Sequence, residues 1–344
     1  MCDKLVGTMM CKKHNVMRGQ SHFVFVEDCT YYLSSHIFKD YGLEVRSVRT
    51  DSEGIVVEDL ERQLLQCRAD TDRTPLFLYT IPLFNNPTGR CISSERKLQL
   101  LRVTAENNLL VVSDEVYQML DSSNHLISQG TNDDSAPPFA PLRSLLSRLD
   151  LPQPAGDLLP SVTNVLAVSS FSKILAPGLR VGWIRCSTQE QATDLWELGL
   201  MRSGSSTCHF TSCMVSQLLQ PMHGSDGPFE CLLENQIVSL SASYARRYAA
   251  LTEALVEHSS VLLAGEAGGT LEIEGYKEQS AHPGRVGGYF VWVRLPHWCG
   301  SPGADPDAAF NKTMSDVGLI VRAGAECTGN GVGNEDYIRL CFAR

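Results

Sequence analysis

Short apolar runs of strand length, separated by polar turns and segments with apolar residues at helical spacing, recur over roughly the first two hundred residues. That alternation restricts the chain to an α/β architecture. Residues 22–26 (HFVFV) are the first β-rich run, followed by a helix-like stretch at 32–40, the segment 43–48 and an amphipathic segment at 57–67. Residues 75–81 (PLFLYTI) read as a buried strand. Ser93, Ser94 and Glu95 supply helix-starting residues, and Leu98, Leu100, Leu101 and Val103 form an apolar stripe that runs to Asn107 and Asn108. Further strand candidates stand at 109–112, 165–168 and 181–185.

Between 121 and 160 the character changes, because six of the sixteen prolines fall there among Ser, Asn and Asp, as in a long irregular surface excursion. Beyond residue 208 the pattern turns helical, and the stretch 229–258 is long enough to bridge two domains. Strand candidates at 288–295, 319–322 and 337–342, with a helix-like segment at 305–317, make a smaller α+β unit. The expected organisation is a large domain over 1–228, an interdomain helix over 229–258 and a small domain over 259–344.

A chain of 344 residues with 43% hydrophobic and 20% charged side chains can build a substantial core. Its 29 basic residues against 39 acidic ones leave a formal charge of −10, which repels nucleic acid and anionic membranes. No run approaches the ~18 apolar residues of a membrane span, and residues 1–20 lack the apolar stretch of a secretory signal. The twelve cysteines are scattered without a C-x-x-C pair or a zinc-like Cys/His spacing. They read as reduced, small apolar side chains in a cytoplasmic protein.

Four segments join strand candidates to polar sequence: 85–89 (NNPTG), 113–117 (SDEVY), 169–173 (SSFSK) continuing to 176–183 (APGLRVGW), and 337–342 (YIRLCF). In open α/β sheets, ligands gather at the carboxyl ends of strands. Singly, each has an ordinary explanation as a turn, a helix cap or a serine-rich surface loop. Together they supply an amide, a carboxylate with a phenol three residues on, a lysine among hydroxyls with an arginine seven residues on, and an arginine within an apolar strand. A buried strand arginine needs a partner, and a bound carboxylate is a natural one.

In this order, NNPTG, SDEVY, SSFSKILAPGLRVGW and YIRLCFA resemble the pyridoxal-phosphate-dependent aminotransferases of class I/II, on the kynurenine/2-aminoadipate branch, over about residues 22–343. The resemblance implies the fold type I transferase architecture: an α/β large domain with a mixed, mostly parallel sheet and helices on both faces, plus a smaller α+β C-terminal domain. It implies pyridoxal 5′-phosphate as cofactor and a ping-pong exchange between an α-amino acid and a 2-oxo acid, in a cytoplasmic homodimer of amino-acid metabolism. Lys173 would join the cofactor aldehyde and move the proton at the substrate α-carbon. Asp114 would face the pyridine nitrogen. Asn86 and Tyr117 would donate to the ring 3-oxygen, Tyr31 would stack on the ring, and Ser170, Ser172 and Arg180 would hold the phosphate. Arg339, with Asn86 beside it, would bind the substrate α-carboxylate. The strand at 287–292 (GGYFVW) also resembles a small-domain strand of the family.

The chain departs from the family pattern at both ends. Residues 2–10 (CDKLVGTMM) resemble the body of the helix whose start contributes to the phosphate cradle, so the expectation is an N-terminally short chain with weakened phosphate binding. Residues 12–20 stand where a Pro-Gly-Asp turn is usual, Cys29 stands for a common proline, and the family's final helix would follow Arg344. The same lysine and aspartate also serve lyases and synthases of this fold. A catalytically impaired remnant and an effector-sensing domain of a transcription regulator complete the alternatives, the last opposed by the acidic charge.

Overall fold

A computed structural model describes residues 2–13, 21–69, 73–121, 164–202, 209–220, 232–257, 272–274, 286–294, 321–329 and 333–343. Nearly all of the proline-rich segment and the helix-like segment at 305–317 lie outside the described residues. The elements are α1 (Cys2–Lys13), β1 (Ser21–Glu27), α2 (Tyr32–Asp40), β2 (Glu44–Val48), a short hairpin of β3 (Thr50–Asp51) and β4 (Gly54–Ile55), and α3 (Val57–Ala69). They continue with β5 (Arg73–Thr80), α4 (Ser94–Glu106), β6 (Leu110–Asp114), β7 (Val165–Ser170), β8 (Gly182–Arg185), α5 (Gln189–Trp196), α6 (Gly199–Arg202), α7 (His209–Leu218) and α8 (Leu232–Glu257). The remaining strands are β9 (Glu272–Ile273), β10 (Phe290–Arg294), β11 (Arg322–Ala323) and β12 (Tyr337–Cys341).

The large sheet has the order β2-β1-β5-β6-β7-β8, parallel throughout except for the antiparallel edge strand β8. Its central strands are buried on both faces, which is why they read as continuous apolar runs. Val24, Val26, Phe77 and Tyr79 enter a core with Val6, Met9 and Met10 of α1, Phe38 of α2 and Tyr244 and Tyr248 of α8. Phe23, Phe25 and Leu78 enter a second core with Leu60 and Leu64 of α3 and Leu100 and Leu101 of α4. Helices therefore cover both faces. Between β1 and β5 one bulge, at Leu76, shifts the register from Phe23 opposite Pro75 to Val24 opposite Phe77.

Local signals explain two of the helix starts. Ser93 caps α4 by accepting from the Arg96 N–H at 3.3 Å. The periodic reading missed α5, although Thr188 and Gln191 form a reciprocal capping box at its start. Among the described residues no helix is long and apolar enough to cross a membrane.

The smaller sheet has the order β11-β12-β10-β9, all antiparallel. One face carries Val291, Val293, Ile338 and Ala323 into the first core. The other bears Trp292 stacked on Tyr337, with ring centroids 5.2 Å apart.

The turn after β5 joins the two sheets. Glu27, at the end of β1 and 1% exposed, accepts from the Thr80 hydroxyl, the Ile81 N–H and the Asn85 side-chain amide, each at 3.0 Å. The Asn85 side-chain oxygen in turn accepts from the Thr88 hydroxyl at 3.1 Å, and its carbonyl from Gly89 N–H at 2.7 Å. Arg90 pairs with Glu274 beside the small sheet. Gly89 has φ +72°, and a Cβ there would stand 2.9 Å from the carbonyl oxygen of Phe290. Gly89→Ala combines left-handed strain with a backbone clash, so it should destabilise the protein by on the order of 2 kcal/mol, read as a lower urea midpoint. An unchanged midpoint would mean that the turn does not abut β10.

Burial pushes the Glu27 carboxyl up to about 8, against the pull of its three donors. Between the ordinary carboxyl range, about 4.3, and about 8, the folded chain then binds more protons than the unfolded one, and stability falls as pH rises through that window. Removing the titrating group with Glu27→Gln should remove this slope. Denaturation midpoints of the two proteins, compared from pH 5 to 8, should shift progressively in favour of the variant; a constant difference would rule the linkage out.

Candidate active site

The chain order β1, β2, then β5 back on the other side of β1 makes the β1/β5 boundary a switch point, where ligands of open α/β sheets gather beyond the strand ends. Tyr31 follows β1, Asn86 follows β5, Asp114 is the last residue of β6, and Ser170 is the last of β7. The strand periods therefore bring side chains far apart in sequence to one edge.

Eight of the nine expected site residues, Tyr31, Asn86, Asp114, Tyr117, Ser170, Ser172, Lys173 and Arg180, line one cavity of ≈ 250 Å³. Arg339 reaches it through Asn86, whose side-chain oxygen accepts from Nη1 at 2.8 Å. On β12, Arg339 lies opposite Trp292 of β10, and its guanidinium carbon sits 4.2 Å from the centre of the Phe290 ring. The apolar strand noted in the sequence thus carries its arginine against an aromatic face and delivers the guanidinium to the turn after β5.

Asp114 is 7% exposed and is held at both oxygens. Oδ2 accepts from the Tyr79 hydroxyl at 2.6 Å and Oδ1 from the Val116 N–H at 3.4 Å. Tyr79 was not among the expected site residues, because in sequence it is one more apolar position of a buried strand. Its partner stands thirty-five residues away, and only the β5–β6 pairing, with Tyr79 opposite Val112, brings the two together.

Tyr117 is buried, and its hydroxyl is pushed well above the usual phenol range by burial first, with the nearby Asp114 adding and Arg339 opposing. It is a neutral donor across the physiological range. The Ser170 hydroxyl gives its proton to the Val181 carbonyl at 3.3 Å and accepts from the Ser172 N–H at 3.0 Å. The expected phosphate-binding serine thus ties its own loop, and service to an anion would require the hydroxyl to rotate. Arg180 is exposed, at φ +55°, immediately after the one-turn helix Pro177–Leu179, and its Nη1 donates to the Pro177 carbonyl at 3.3 Å.

The Lys173 Nζ lies 5.8 Å from the Tyr117 ring centre and 4.8 Å from that of Tyr289. Tyr289 is the second residue that sequence reading left out of the site; its segment was legible only as a small-domain strand. Altogether the cavity presents an amine, a carboxylate, hydroxyls, a guanidinium and an amide, a set suited to an anionic, ring-bearing ligand.

The family model for aminotransferases of class I and II matches residues 16–344. The aminotransferase swnA of Metarhizium robertsii is 27% identical over 339 residues, covering 93% of this chain and 59% of that protein. The uncharacterized HTH-type transcriptional regulator YdfD of Bacillus subtilis is 26% identical over 339 residues, covering 95% of this chain and 53% of that one. The chain thus spans little more than half the length of these curated relatives. The crystal structure of LysN, the alpha-aminoadipate aminotransferase of Thermus thermophilus, superposes with a TM-score of 0.70 at 22% identity over 99% of this chain and 69% of that one, a likeness of fold. With a family match that runs through every segment lining the cavity, this chain belongs to the class I and II aminotransferases.

Proposed function

We propose that this protein is a pyridoxal-phosphate-dependent aminotransferase that moves an amino group between an α-amino acid and a 2-oxo acid by a ping-pong route. The observation that carries this reading is the convergence of Lys173, Asp114 and the Asn86–Arg339 pair on one cavity. The cavity, at ≈ 250 Å³, is close to the lower end of small-molecule sites, about 300 Å³. Its donors fit the cofactor: an amine for an aldehyde, a carboxylate for a pyridine nitrogen, hydroxyls and a guanidinium for a phosphate. LysN was crystallised with N-(5′-phosphopyridoxyl)-L-leucine, in keeping with the same class of ligand here.

When bound, pyridoxal phosphate supplies an electron sink for the pair left as the substrate α-carbon loses its proton. Lys173 would hold the cofactor and then carry that proton as an amine base. Asp114, oriented by Tyr79, would keep the pyridine nitrogen protonated. Asn86 has its oxygen committed to Arg339, so its NH₂ is the end left to donate to the ring 3-oxygen, alongside the neutral Tyr117 hydroxyl. Tyr31 would pack on the ring, and Ser170, Ser172 and Arg180 would take the phosphate. Arg339, steadied by Phe290 and Asn86, would bind the substrate α-carboxylate through its planar fork.

The same reading places a large domain over 1–228 and a small one over 259–344, joined by the helix at 229–258, in a cytoplasmic homodimer serving amino-acid biosynthesis. Phe210 and Met214 of α7, 78% and 52% exposed, support a second copy as partner. The eight free cysteines among the described residues suit a reducing compartment. The relation to YdfD favours a second reading, a regulator-type domain that holds the same ligand without turnover.

Purified protein with pyridoxal phosphate should develop a visible absorption band that Lys173→Ala abolishes. An amino donor alone should then convert it to the pyridoxamine spectrum. Release of pyruvate and ammonia would instead make it a lyase, a stable band with every amino donor would favour the sensing domain, and no band in the unaltered chain would sink the aminotransferase reading. Tyr79→Phe removes a hydrogen bond to the buried Asp114 carboxylate and should weaken pyridoxal phosphate binding by roughly ten- to a hundredfold in a spectral titration. Unchanged affinity would mean that Tyr79 does not set Asp114 for the ring.

A further inference from the structure

Tyr289 stands where three parts of the molecule meet. Its hydroxyl donates to the main-chain carbonyl of Lys173 at 3.0 Å and accepts from the Tyr244 hydroxyl of α8 at 3.4 Å. Its own carbonyl accepts from the Phe342 N–H at 3.0 Å, just beyond β12. Its ring centre lies 4.8 Å from the Lys173 Nζ and 5.4 Å from the Tyr117 ring. The two residues before it are glycines for a steric reason: a Cβ at Gly287 would come within 2.2 Å of the Phe84 ring, and one at Gly288, where φ is +70°, within 2.6 Å of the Phe84 Cβ. The backbone thus passes directly under Phe84, and Tyr289 emerges against the lysine.

We infer that Tyr289 is a positioning residue for Lys173, its ring stabilising the ammonium form of the side chain and its hydroxyl anchoring the lysine's main chain. This rests on the reading of Lys173 as the cofactor-binding lysine. An ammonium against the π face of two phenols is favoured over the neutral amine, because the ring quadrupole attracts only the charged form. Among the described residues, the other charged or titratable groups lining the cavity are Asp114, Tyr117, Tyr31 and Arg180, with Arg339 arriving through Asn86. Asp114 favours the ammonium and the two guanidiniums oppose it, and the two phenol rings add to the side of the ammonium. The Tyr289 hydroxyl is itself held above the usual phenol range, chiefly by burial and by Tyr244, and remains a donor wherever the lysine titrates.

The test uses the full chain without cofactor. Lys173 is acetylated competitively with acetic anhydride over a pH series, and its peptide is quantified by mass spectrometry. Tyr289→Leu should lower the titration midpoint of Lys173 by about one pH unit, with several-fold more labelling below the midpoint. Tyr289→Phe keeps the ring and should titrate like the unaltered protein. Tyr289→Met, which keeps bulk without a π face, should behave as the leucine variant does and serves if that variant does not fold. Equal midpoints in all the proteins, or a phenylalanine variant as low as the leucine one, would overturn the inference. The labelling needs no pyridoxal phosphate, so an absent visible band in the unaltered chain would count against the aminotransferase reading alone.

Discussion

Phe23, Val24, Phe25 and Val26 have no solvent contact on either face of the sheet, and the rest of the molecule is arranged around that constraint. These strands pair in parallel and are crossed over by helices, with α1, α2 and α8 over one face and α3 and α4 over the other. Polar groups are then admissible only where the strands end. The chemistry gathers at the carboxyl edge because that is where the sheet leaves room for it.

At that edge, the buried Glu27 carboxyl group organises the turn after β5. It takes up the donors of Thr80, Ile81 and Asn85, and Asn85 closes the loop that projects Asn86 toward Arg339. Among the described residues no cation is a hydrogen-bond partner of this carboxyl, and burial favours its protonated form. The turn is also where the small sheet docks, through the contact of Gly89 with Phe290 and the pairing of Arg90 with Glu274. One turn thus fixes both the amide of the site and the position of the strand that supplies the arginine.

Much of this was legible in the sequence. The strands at 22–26, 75–81 and 165–168 announced themselves by continuous apolar character, and the polar segments beyond them marked the edge. What escaped was of two kinds. α5 is too short for its apolar spacing to stand out, and only the Thr188–Gln191 capping box could have revealed it. Tyr79 and Tyr289 escaped because each sits inside or beside a strand where an aromatic side chain has an ordinary packing role, and Glu27 because in sequence it reads as the first residue of a polar turn; each has its partner distant along the chain. The antiparallel direction of β8 was likewise unreadable, since a strand as short as residues 182–185 (GWIR) is compatible with either pairing.

By itself, the sequence determined the fold class, the family and the inventory of reactive groups, because periodicity and short motifs are local properties. Tertiary structure alone decided which of those groups touch. The Asn86 oxygen faces Arg339, Asp114 is held by Tyr79, and the Lys173 amine lies against Tyr117 and Tyr289. These contacts are set by strand register and by the docking of one sheet on the other's turn, and both depend on packing between segments that the chain holds far apart.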